Sequence, residues 1–532
     1  MSDSEDTKHA LDRRRFLLTG TAALAGLGLG TAGPSLVGFK SIQTEAAGSV
    51  AAPARGMPDG GPVQAVRLVA EPVEVEVGPG RKWSTWGYNG QYPGPEIRVK
   101  EGERLRVTVE NRLPSGVGTT VHWHGVPVPN AMDGVPGLTQ EPIPPGETFV
   151  YEYEAAPAGT YMYHSHVGLQ LDRGLIGPLI IEERTPHVSY DREYTVMLDD
   201  FLPGAPQPLE VLAASGQRGG MMDRGRGGRC CRRGDRGDRG ESVRGEDRWR
   251  GGRQRRGGMM GGGKRGIVPP YEGLMINGRL PEDPAVFDVK KGERVRLRLV
   301  NPSSATTYHL ALAGHRLTVT HADGQPVEPV EVDSLLIGMG ERYDVVVEAT
   351  QPGAHTLLAR TVEGDAPPAR AILRYQGSRQ NRPPGGQVPE GLRGGRRLRY
   401  ADLQSARSLP QPLAEAGAPD RTFDLRLSGG MMMSRGEWFI DGQRYPDADP
   451  LEIREGERVR VNMRNMSMML HPMHLHGHFF RTGGILKDTV LLEPHMGRAS
   501  FDFIADNPGR WFFHCHNLYH LHAGMAREVR YV

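Results

Sequence analysis

The chain has 532 residues, which is too long for one hydrophobic core and predicts about three domains of ordinary size. It contains 72 glycines and 42 prolines, so short strands joined by turns are favoured over long helices and an all-β fold is expected. Three cysteines exclude a disulfide framework, and a formal net charge of only +2 gives no reason to expect a nucleic-acid partner.

The N-terminal segment has the pattern of an export signal. Arg13-Arg14-Arg15-Phe16-Leu17-Leu18 precedes a Gly/Ala/Leu run to about Gly38, which is similar to a twin-arginine signal. A permanent membrane anchor is the alternative, but the run is short and rich in glycine. No cysteine follows it, so a lipid anchor at the usual position is excluded. We predict a signal and flexible N-terminus over residues 1–55, a mature start between about 42 and 55, and an extracytoplasmic protein, periplasmic or secreted, without a stable membrane span after processing.

One sequence pattern occurs three times. It consists of a strand, a Gly-Glu-Arg turn and a second strand in which apolar and charged residues alternate up to an asparagine, and it covers residues 95–111, 284–301 and 450–465. The alternation has the period of a half-buried strand, and the turns are placed at Gly102, Gly292 and Gly456. We therefore predict three β-sandwich domains, over residues 56–187, 188–385 and 386–532.

The middle domain contains a tract of unusual composition over residues 204–266. It includes RGRGGRCCRRGDRGDRG, and residues 218–265 hold 16 Lys or Arg and 6 Asp or Glu. Too few apolar residues are present to offset the entropy lost on ordering, so a disordered insert is predicted. Binding to an anionic polymer is the alternative.

Ten of the 19 histidines fall in four short clusters. Residues i and i+2 of a strand point to one face about 7 Å apart, so each His-x-His pair presents two imidazoles to one side. By the same alternation Cys515 points away from its two histidine neighbours, so one strand would join two sites. The clusters are HWHG with His122 and His124, HSH with His164 and His166, HPMHLHG with His471, His474 and His476, and HCHNLYH with His514, His516 and His520.

These residue types suit copper. Two histidines, a cysteine and a weak axial methionine form the blue-copper electron-transfer geometry. Zinc takes the same residue types and is the rival metal. The ten clustered histidines and Cys515 exceed what one or two zinc sites use, so copper is expected.

The four clusters resemble, in order and spacing, the copper motifs of the multicopper oxidases, and the three repeats resemble their cupredoxin domains. The resemblance extends from about residue 65 to the C-terminus, except for the Arg/Gly tract. It implies three cupredoxin-like Greek-key β-sandwich domains, four copper ions and O2 as electron acceptor. The first and third domains would hold the metals, and the middle domain would be a spacer.

Carried over residue by residue, the resemblance implies a type 1 copper held by His471, Cys515 and His520, with Met525 as axial ligand. It implies a type 2 copper held by His122 and His474. A type 3 pair would use His124, His164, His166, His476, His514 and His516. Electrons from a reducing substrate would enter at the type 1 site and pass through Cys515 to the other coppers.

The reduction of O2 also consumes protons. Asp133 matches the acidic residue that the family places near the type 2 copper, so we assign it, with Cys515, to the catalytic residues. An ordinary turn role in Met132-Asp133-Gly134 is the alternative. Bacterial relatives commonly carry a glutamate just after the second type 1 histidine, where this chain has Leu521. Five other histidines match no ligand position and are expected to be structural or surface residues: His309, His315, His321, His478 and His522.

Methionines are frequent near the predicted type 1 ligands. Thioethers are soft ligands that prefer Cu(I), although methionine also fills gaps in protein cores. The segments MMLHPMHLHG and HCHNLYHLHAGM look most like those of bacterial copper-resistance oxidases, which oxidise Cu(I). The methionines in question are Met431–Met433, Met463, Met466, Met468, Met469 and Met473.

We therefore expect a cuprous oxidase with a role in copper tolerance. A laccase acting on phenols and aromatic amines is the main alternative, and an open path to His520 would favour it. A non-catalytic cupredoxin scaffold would lack ligands, and none is missing. A copper nitrite reductase has fewer domains and lacks the full HCH and HSH set. The sequence predicts no particular oligomeric state.

Overall fold

The computed structural model describes residues 62–213, 268–411, 413–414, 417–430 and 436–532. The predicted export signal, residues 214–266 of the Arg/Gly tract and Met431–Met433 lie outside the described residues. No helix in the described part of the chain is long and apolar enough to cross a membrane.

The first sandwich is built from eight strands: β1 (Val63–Gly78), β2 (Arg81–Tyr88), β3 (Ile97–Lys100), β4 (Arg104–Asn111), β5 (His122–His124), β6 (Thr148–Glu154), β7 (Gly159–His164) and β8 (Ile176–Glu182). They form two sheets, of order β2-β1-β4-β6 and β3-β8-β7-β5. Buried and half-buried residues alternate along β4, as its sequence predicts. A short 3-10 helix (Asn130–Met132) lies between β5 and β6.

The second sandwich is built from eleven strands: β9 (Arg192–Phe201), β10 (Gly273–Ile276), β11 (Ala285–Val289), β12 (Arg294–Val300), β13 (Tyr308–Leu312), β14 (Leu317–Ala322), β15 (Gln325–Val332), β16 (Leu335–Ile337), β17 (Arg342–Glu348), β18 (Ala354–Thr361) and β19 (Ala369–Tyr375). Its sheets have the order β10-β9-β12-β17-β14-β15 and β11-β19-β18-β13-β16. Strands β9 and β10 pair antiparallel with Phe201 opposite Gly273. The prediction of a disordered insert is wrong for its first residues, 204–213, because residues 209–213 are helical and the buried Leu209 packs in an apolar cluster with Trp438 of the third sandwich.

Two 3-10 helices (Glu390–Leu392 and Tyr400–Asp402) precede the third sandwich. Its elements are β20 (Arg421–Gly429), β21 (Trp438–Ile440), β22 (Leu451–Ile453), β23 (Arg458–Asn465), β24 (His471–Leu475), β25 (Phe480–Thr482), β26 (Ile485–Lys487), β27 (Thr489–Leu492), β28 (Arg498–Ile504), β29 (Arg510–Cys515), helix α1 (Leu518–His522) and β30 (Ala526–Tyr531). The sheets have the order β21-β20-β23-β28-β25-β26 and β22-β30-β29-β24-β27.

The three predicted repeats take the same place in each sandwich. The first strand of each repeat (β3, β11, β22) lies in one sheet and the second (β4, β12, β23) in the other, so the Gly-Glu-Arg turn carries the chain between sheets. The turn glycines have left-handed φ values of 82°, 90° and 83°, which other residues rarely adopt. The asparagine that ends each repeat donates from its side chain to two backbone carbonyl groups, at Asn111, Asn301 and Asn465.

The prediction of an all-β fold is confirmed, with six sheets in three pairs. The domain boundaries after residues 187 and 385 stay predictions. The apolar interior is continuous between sandwiches: one cluster contains Trp83 of the first, Phe201 and Met275 of the second, and Trp438 and Trp511 of the third. Apolar packing therefore holds the strands that carry the histidine clusters against one another.

Candidate metal centres

Two histidines and a cysteine of the third sandwich converge on one point. The Sγ atom of Cys515 lies 3.5 Å from Nδ1 of His471 and 3.6 Å from Nδ1 of His520, and the two Nδ1 atoms are 3.1 Å apart. Met525 is buried, and its backbone oxygen accepts a hydrogen bond from the Cys515 N–H at 3.1 Å. The predicted histidine and cysteine ligands of the type 1 copper are therefore brought together, and the backbone of Met525 lies next to Cys515.

Strand pairing sets this first centre. His471 begins β24 and Cys515 ends β29, and the register of these two strands places Met473 opposite Cys515. The far side of the His471 ring is also fixed, because its Nε2 atom lies 2.7 Å from the Oγ atom of Ser467. That contact leaves Nδ1 facing the cysteine.

The other histidine of the first centre is set by α1. The side chain of Asn517 caps this short helix by accepting hydrogen bonds from the backbone N–H groups of Tyr519 at 3.1 Å and His520 at 3.2 Å. The Trp438 ring lies against His520 with a centroid separation of 3.9 Å. Trp438 is not among the residues that the sequence singled out, since only the fold brings β21 to α1.

Eight histidines of the first and third sandwiches form a second centre. Strand pairing places His122 opposite His164 in the first sandwich and His474 opposite His514 in the third. The two sets meet across the interface, where the rings of His124 and His474 stack with centroids 3.8 Å apart. Four His-x-His pairs therefore converge, as their alternation predicts.

The ring nitrogens of the second centre fall into groups whose atoms lie within 4.8 Å of one another: His124, His164 and His516; His166, His476 and His514; and His122, His124 and His474. The first two groups divide the predicted type 3 ligands into two sets of three. The last contains both predicted type 2 ligands. All eight side chains are buried except that of His166, which is half-buried.

Asp133 lies against the second centre. Its Oδ2 atom is 3.0 Å from Nδ1 of His476, and its backbone oxygen is 2.8 Å from Nδ1 of His122. Its backbone N–H closes the 3-10 helix by donating to the backbone oxygen of Asn130, the first residue of that helix. Asp133 therefore has both predicted roles at once: it belongs to a turn, and its carboxylate contacts a predicted metal ligand.

A second buried carboxylate, Asp488, contacts the histidines and is not among the residues predicted from the sequence. Its Oδ1 atom lies 3.3 Å from Nε2 of His124 and 3.4 Å from Nδ1 of His474. Burial by itself would raise the pKa of Asp488, but the Arg342 guanidinium beside it holds that pKa well below its ordinary value. The only sequence signal is the charged pair Lys487-Asp488 between two apolar strands.

Leu521 directly follows His520, the second predicted type 1 histidine. Its half-buried side chain packs against an apolar cluster that contains Val135 and Phe512. Within the described residues, the carboxylates against the eight histidines are Asp133 and Asp488.

The middle sandwich also reaches the second centre. At Gly340 a Cβ atom would lie 3.0 Å from atoms of both His124 and His516. The middle sandwich supplies no residue to the metal-binding groups found among the described residues, as expected for a spacer, but its backbone packs directly against predicted type 3 ligands.

Comparison with known proteins identifies the family. Three multicopper oxidase family models match the chain, over residues 70–186, 253–378 and 420–532. The multicopper oxidase MmcO of Mycobacterium tuberculosis is 36% identical over 100% of both chains. The chain belongs to the multicopper oxidase family.

Two further similarities extend this result. Copper resistance protein A of Escherichia coli is 30% identical, and the match covers 83% of this chain and 88% of that protein. The solved laccase from Botrytis aclada is 24% identical and matches 88% of each chain with a TM-score of 0.67, which confirms the fold. As a multicopper oxidase, the chain is a copper-dependent oxidoreductase with O2 as acceptor and three cupredoxin-like domains.

The donor atoms of this multicopper oxidase fit copper. Burial lowers the pKa of His471 and of His164 to about 3, so both imidazoles are neutral and hold a free lone pair. Burial raises the pKa of the Cys515 thiol, whose thiolate form a bound metal ion would stabilise. An unpaired buried polar atom costs about 1–3 kcal/mol. Ring nitrogens without a hydrogen-bond partner include Nε2 of His122, His164, His166 and His474, and a metal ion would satisfy them.

The five histidines expected to be structural or surface residues belong to none of the metal-binding groups found among the described residues. Two of them have tyrosine partners: His478 lies 2.7 Å from the Tyr531 hydroxyl, and His315 lies 2.7 Å from the Tyr375 hydroxyl.

Proposed function

We propose that this multicopper oxidase is a cuprous oxidase that couples one-electron oxidation of Cu(I) to four-electron reduction of O2 to water. It would use one type 1, one type 2 and two type 3 coppers. The observation that carries the copper content is the convergence of ten histidines and Cys515 on two buried centres in groups of ligand size. Bound there, copper would supply one-electron transfer at the first centre and O2 reduction at the second.

The chain connects the two centres through covalent bonds. Cys515 faces the first centre, and its neighbours His514 and His516 face the second. These two histidines belong to different groups of three, so the two covalent paths from Cys515 end in different halves of the predicted type 3 pair. We propose that Cys515 receives the electron and that both paths deliver it.

We propose that Asp133 supplies protons to the second centre. Reduction of O2 to two waters takes up four electrons and four protons, so an acid near the cluster is required. Asp133 is wholly buried, and its carboxylate lies 3.0 Å from Nδ1 of His476. The same contact orients that predicted ligand.

Two methionines beside the first centre favour Cu(I) as the electron donor. Met466 is 41% exposed and Met468 is 45% exposed, and Ser467 between them contacts His471. A half-buried carboxylate of the middle sandwich, Glu363, accepts a hydrogen bond from the Leu470 N–H at 3.0 Å and would attract a cation. Met463, Met469 and Met473 are buried and fill the core, as the alternative interpretation holds.

A laccase acting on phenols or aromatic amines is the alternative. The imidazole of His520 is only 1% exposed and lies beneath Trp438, so the described residues leave no open path for a phenol to reach it. The burial of His520 therefore favours Cu(I) bound near Met466 and Met468 as the electron donor, over a phenol in contact with His520. A non-catalytic scaffold would lack ligands, whereas every predicted ligand is present.

We further propose export by the twin-arginine route, an extracytoplasmic location and a role in copper tolerance. The sequence of residues 13–38 supports the first two. The name of the Escherichia coli relative, copper resistance protein A, supports the third.

Copper analysis tests the content of the two centres. Fully loaded protein should hold four copper ions per chain and show the blue absorption of a type 1 site. Fewer than three copper ions, or no blue absorption, would contradict the proposed function.

Kinetics with Met466→Leu/Met468→Leu test the donor. The KM for Cu(I) should rise by roughly tenfold, which corresponds to about 1.4 kcal/mol of lost binding, while phenol oxidation stays unchanged. The matched control is Met463→Leu, which removes a buried thioether from β23 and should leave both activities intact. Equal losses with both donors would show a structural role instead.

A further inference from the structure

A loop of the middle sandwich lies between the two halves of the second centre. It comprises residues 338–341 and joins β16 to β17. Gly340 has a left-handed φ of 85°, and a Cβ atom there would lie 3.0 Å from His124 and 3.0 Å from His516. The loop backbone therefore packs directly against one histidine of the first sandwich and one of the third, with little room for a side chain.

The loop leads to a wholly buried guanidinium, that of Arg342. It donates to the backbone oxygen of Thr160 in the first sandwich at 3.1 Å and to that of Gly340 in its own sandwich at 2.9 Å. Two parallel hydrogen bonds of 2.8 and 2.6 Å run to the carboxylate of Asp488 in the third sandwich. One side chain thus connects all three sandwiches beside the second centre.

Asp488, which Arg342 binds, also contacts two predicted metal ligands. Its Oδ1 atom lies 3.3 Å from Nε2 of His124, and its backbone oxygen lies 2.9 Å from Nδ1 of His474. These two histidines come from the two sandwiches that form the centre. The Thr489 hydroxyl donates to Oδ1 of Asp488 at 2.9 Å and lies 3.4 Å from the same His124 nitrogen, so the carboxylate orients this ring together with the hydroxyl that it holds.

We propose that Arg342 is a positioning residue of the second centre. The inference rests on the proposed function: the guanidinium fixes the Asp488 carboxylate and so sets the ring orientation of His124, a predicted type 3 ligand, beside His474, a predicted type 2 ligand. Replacing a group that orients a metal ligand commonly lowers metal affinity or activity by about 10- to 100-fold.

The geometry requires arginine rather than any cation. A planar fork can make two parallel bonds to a carboxylate, whereas a lysine ammonium cannot. The guanidinium has room beside Asp488 because the neighbouring residue, Gly125, the last residue of HWHG, has no side chain. A Cβ atom at Gly125 would lie 2.4 Å from Nη2 of Arg342 and 2.7 Å from Oδ2 of Asp488.

A neighbouring ion pair supports the interface without Arg342. The buried ammonium of Lys487 lies 3.0 Å from Asp323 and 3.0 Å from Glu341, both in the middle sandwich. The second and third sandwiches therefore stay joined at this point when Arg342 is replaced by lysine.

The test compares Arg342→Lys with a matched control, Arg296→Lys. Arg296 is also buried in the middle sandwich, and its guanidinium binds Asp344 and Glu183 rather than Asp488. In Arg342→Lys the electron paramagnetic resonance signal of the type 2 copper should change, and O2-dependent turnover should fall by about 10- to 100-fold. The blue absorption and its anaerobic bleaching by the donor should match wild type. Arg296→Lys should keep the wild-type type 2 signal.

Asp488→Asn provides a second measurement. It should change the type 2 signal in the same way, and the double variant should be no worse than Asp488→Asn alone. An Arg342→Lys protein with wild-type spectrum, copper content and turnover overturns the proposal, as do additive losses in the double variant. If Arg342→Lys does not accumulate in folded form, an unchanged type 2 signal in Asp488→Asn overturns it. Wild-type protein with fewer than three coppers would contradict the proposed function instead.

Discussion

The two candidate centres are assembled in different ways. All four residues of the first centre lie in the third sandwich, within residues 471–525, and take their positions from β24, β29 and the segment around α1. The eight histidines of the second centre come from the first and third sandwiches. The middle sandwich packs a loop against them. The first centre therefore depends on the folding of one domain, whereas the second depends on how three domains are packed.

The largest expected effect comes from breaking the connection between the centres. Cys515→Ser removes the thiolate of the first centre and replaces it with a harder oxygen that does not give a blue-copper site. Blue absorption and turnover with every donor should fall to background, while the type 2 paramagnetic signal remains as an internal control for the second centre. Retained turnover would contradict the proposed electron route.

A smaller effect, confined to the second centre, is expected from Asp133→Asn. Loss of a positioned proton donor should lower O2-dependent turnover by about 10²- to 10⁴-fold. The blue absorption and the anaerobic reduction of the first centre should not change. Asp133→Glu keeps an acid and should restore part of the activity with a shifted pH profile. Wild-type turnover in Asp133→Asn would leave Asp133 with only its turn role.

The first centre also has a long-range connection, which the smallest expected effect tests. The Tyr519 hydroxyl, on α1, donates to Asp172 of the first sandwich, and Asp200 at the end of β9 lies in the same buried region. Burial raises the pKa of Asp172 to about 6, and burial together with the Asp172 charge raises that of Asp200 to about 7. Both carboxyls therefore keep a proton in the folded protein at mildly acidic pH.

These raised pKa values give the stability a definite pH dependence. Folded Asp200 holds its proton up to a pH of about 7, whereas an unfolded aspartate releases it near pH 4. Folding takes up a proton at Asp200 in this window, so the contribution of Asp200 to the free energy of unfolding should fall as the pH rises from about 4 to about 7. The buried histidines contribute with the opposite sign, because their lowered pKa values make folding release protons. The difference in the free energy of unfolding between wild type and Asp200→Asn, both free of copper, should therefore fall over this pH range, by a few kcal/mol at most. Chemical denaturation of both proteins at several pH values measures this difference, and a difference that does not change with pH would contradict the expected burial effect.

The convergence of the predicted ligands could be foreseen from the sequence because each of them belongs to a short motif. Strand alternation decides which residues of HWHG or HCH share a face, and this information is local. The three sandwiches followed from the repeats for the same reason. The sequence does not predict that each Gly-Glu-Arg turn carries the chain from one sheet to the other. Apolar and polar residues alternate in the same way whether the two strands pair in one hairpin or lie in different sheets.

The surroundings of the ligands could not be predicted in this way. Arg342 and Asp488 are 146 residues apart, and the contact between them depends on the docking of two sandwiches. Trp438 and Glu363 meet the first centre through tertiary packing alone. None of these four residues belongs to a periodic pattern that points to its partner.

The pairing of Phe201 with Gly273 has a consequence for protein engineering. Residues 214–266 lie between these two paired strands, and the entropy cost of such a connection grows only slowly with its length. A tether or a reporter domain could therefore replace residues 214–266 while β9 and β10 stay paired and Leu209 keeps its place in the core. The chain offers an attachment point at which foreign sequence interrupts neither of the sheets that carry the histidines.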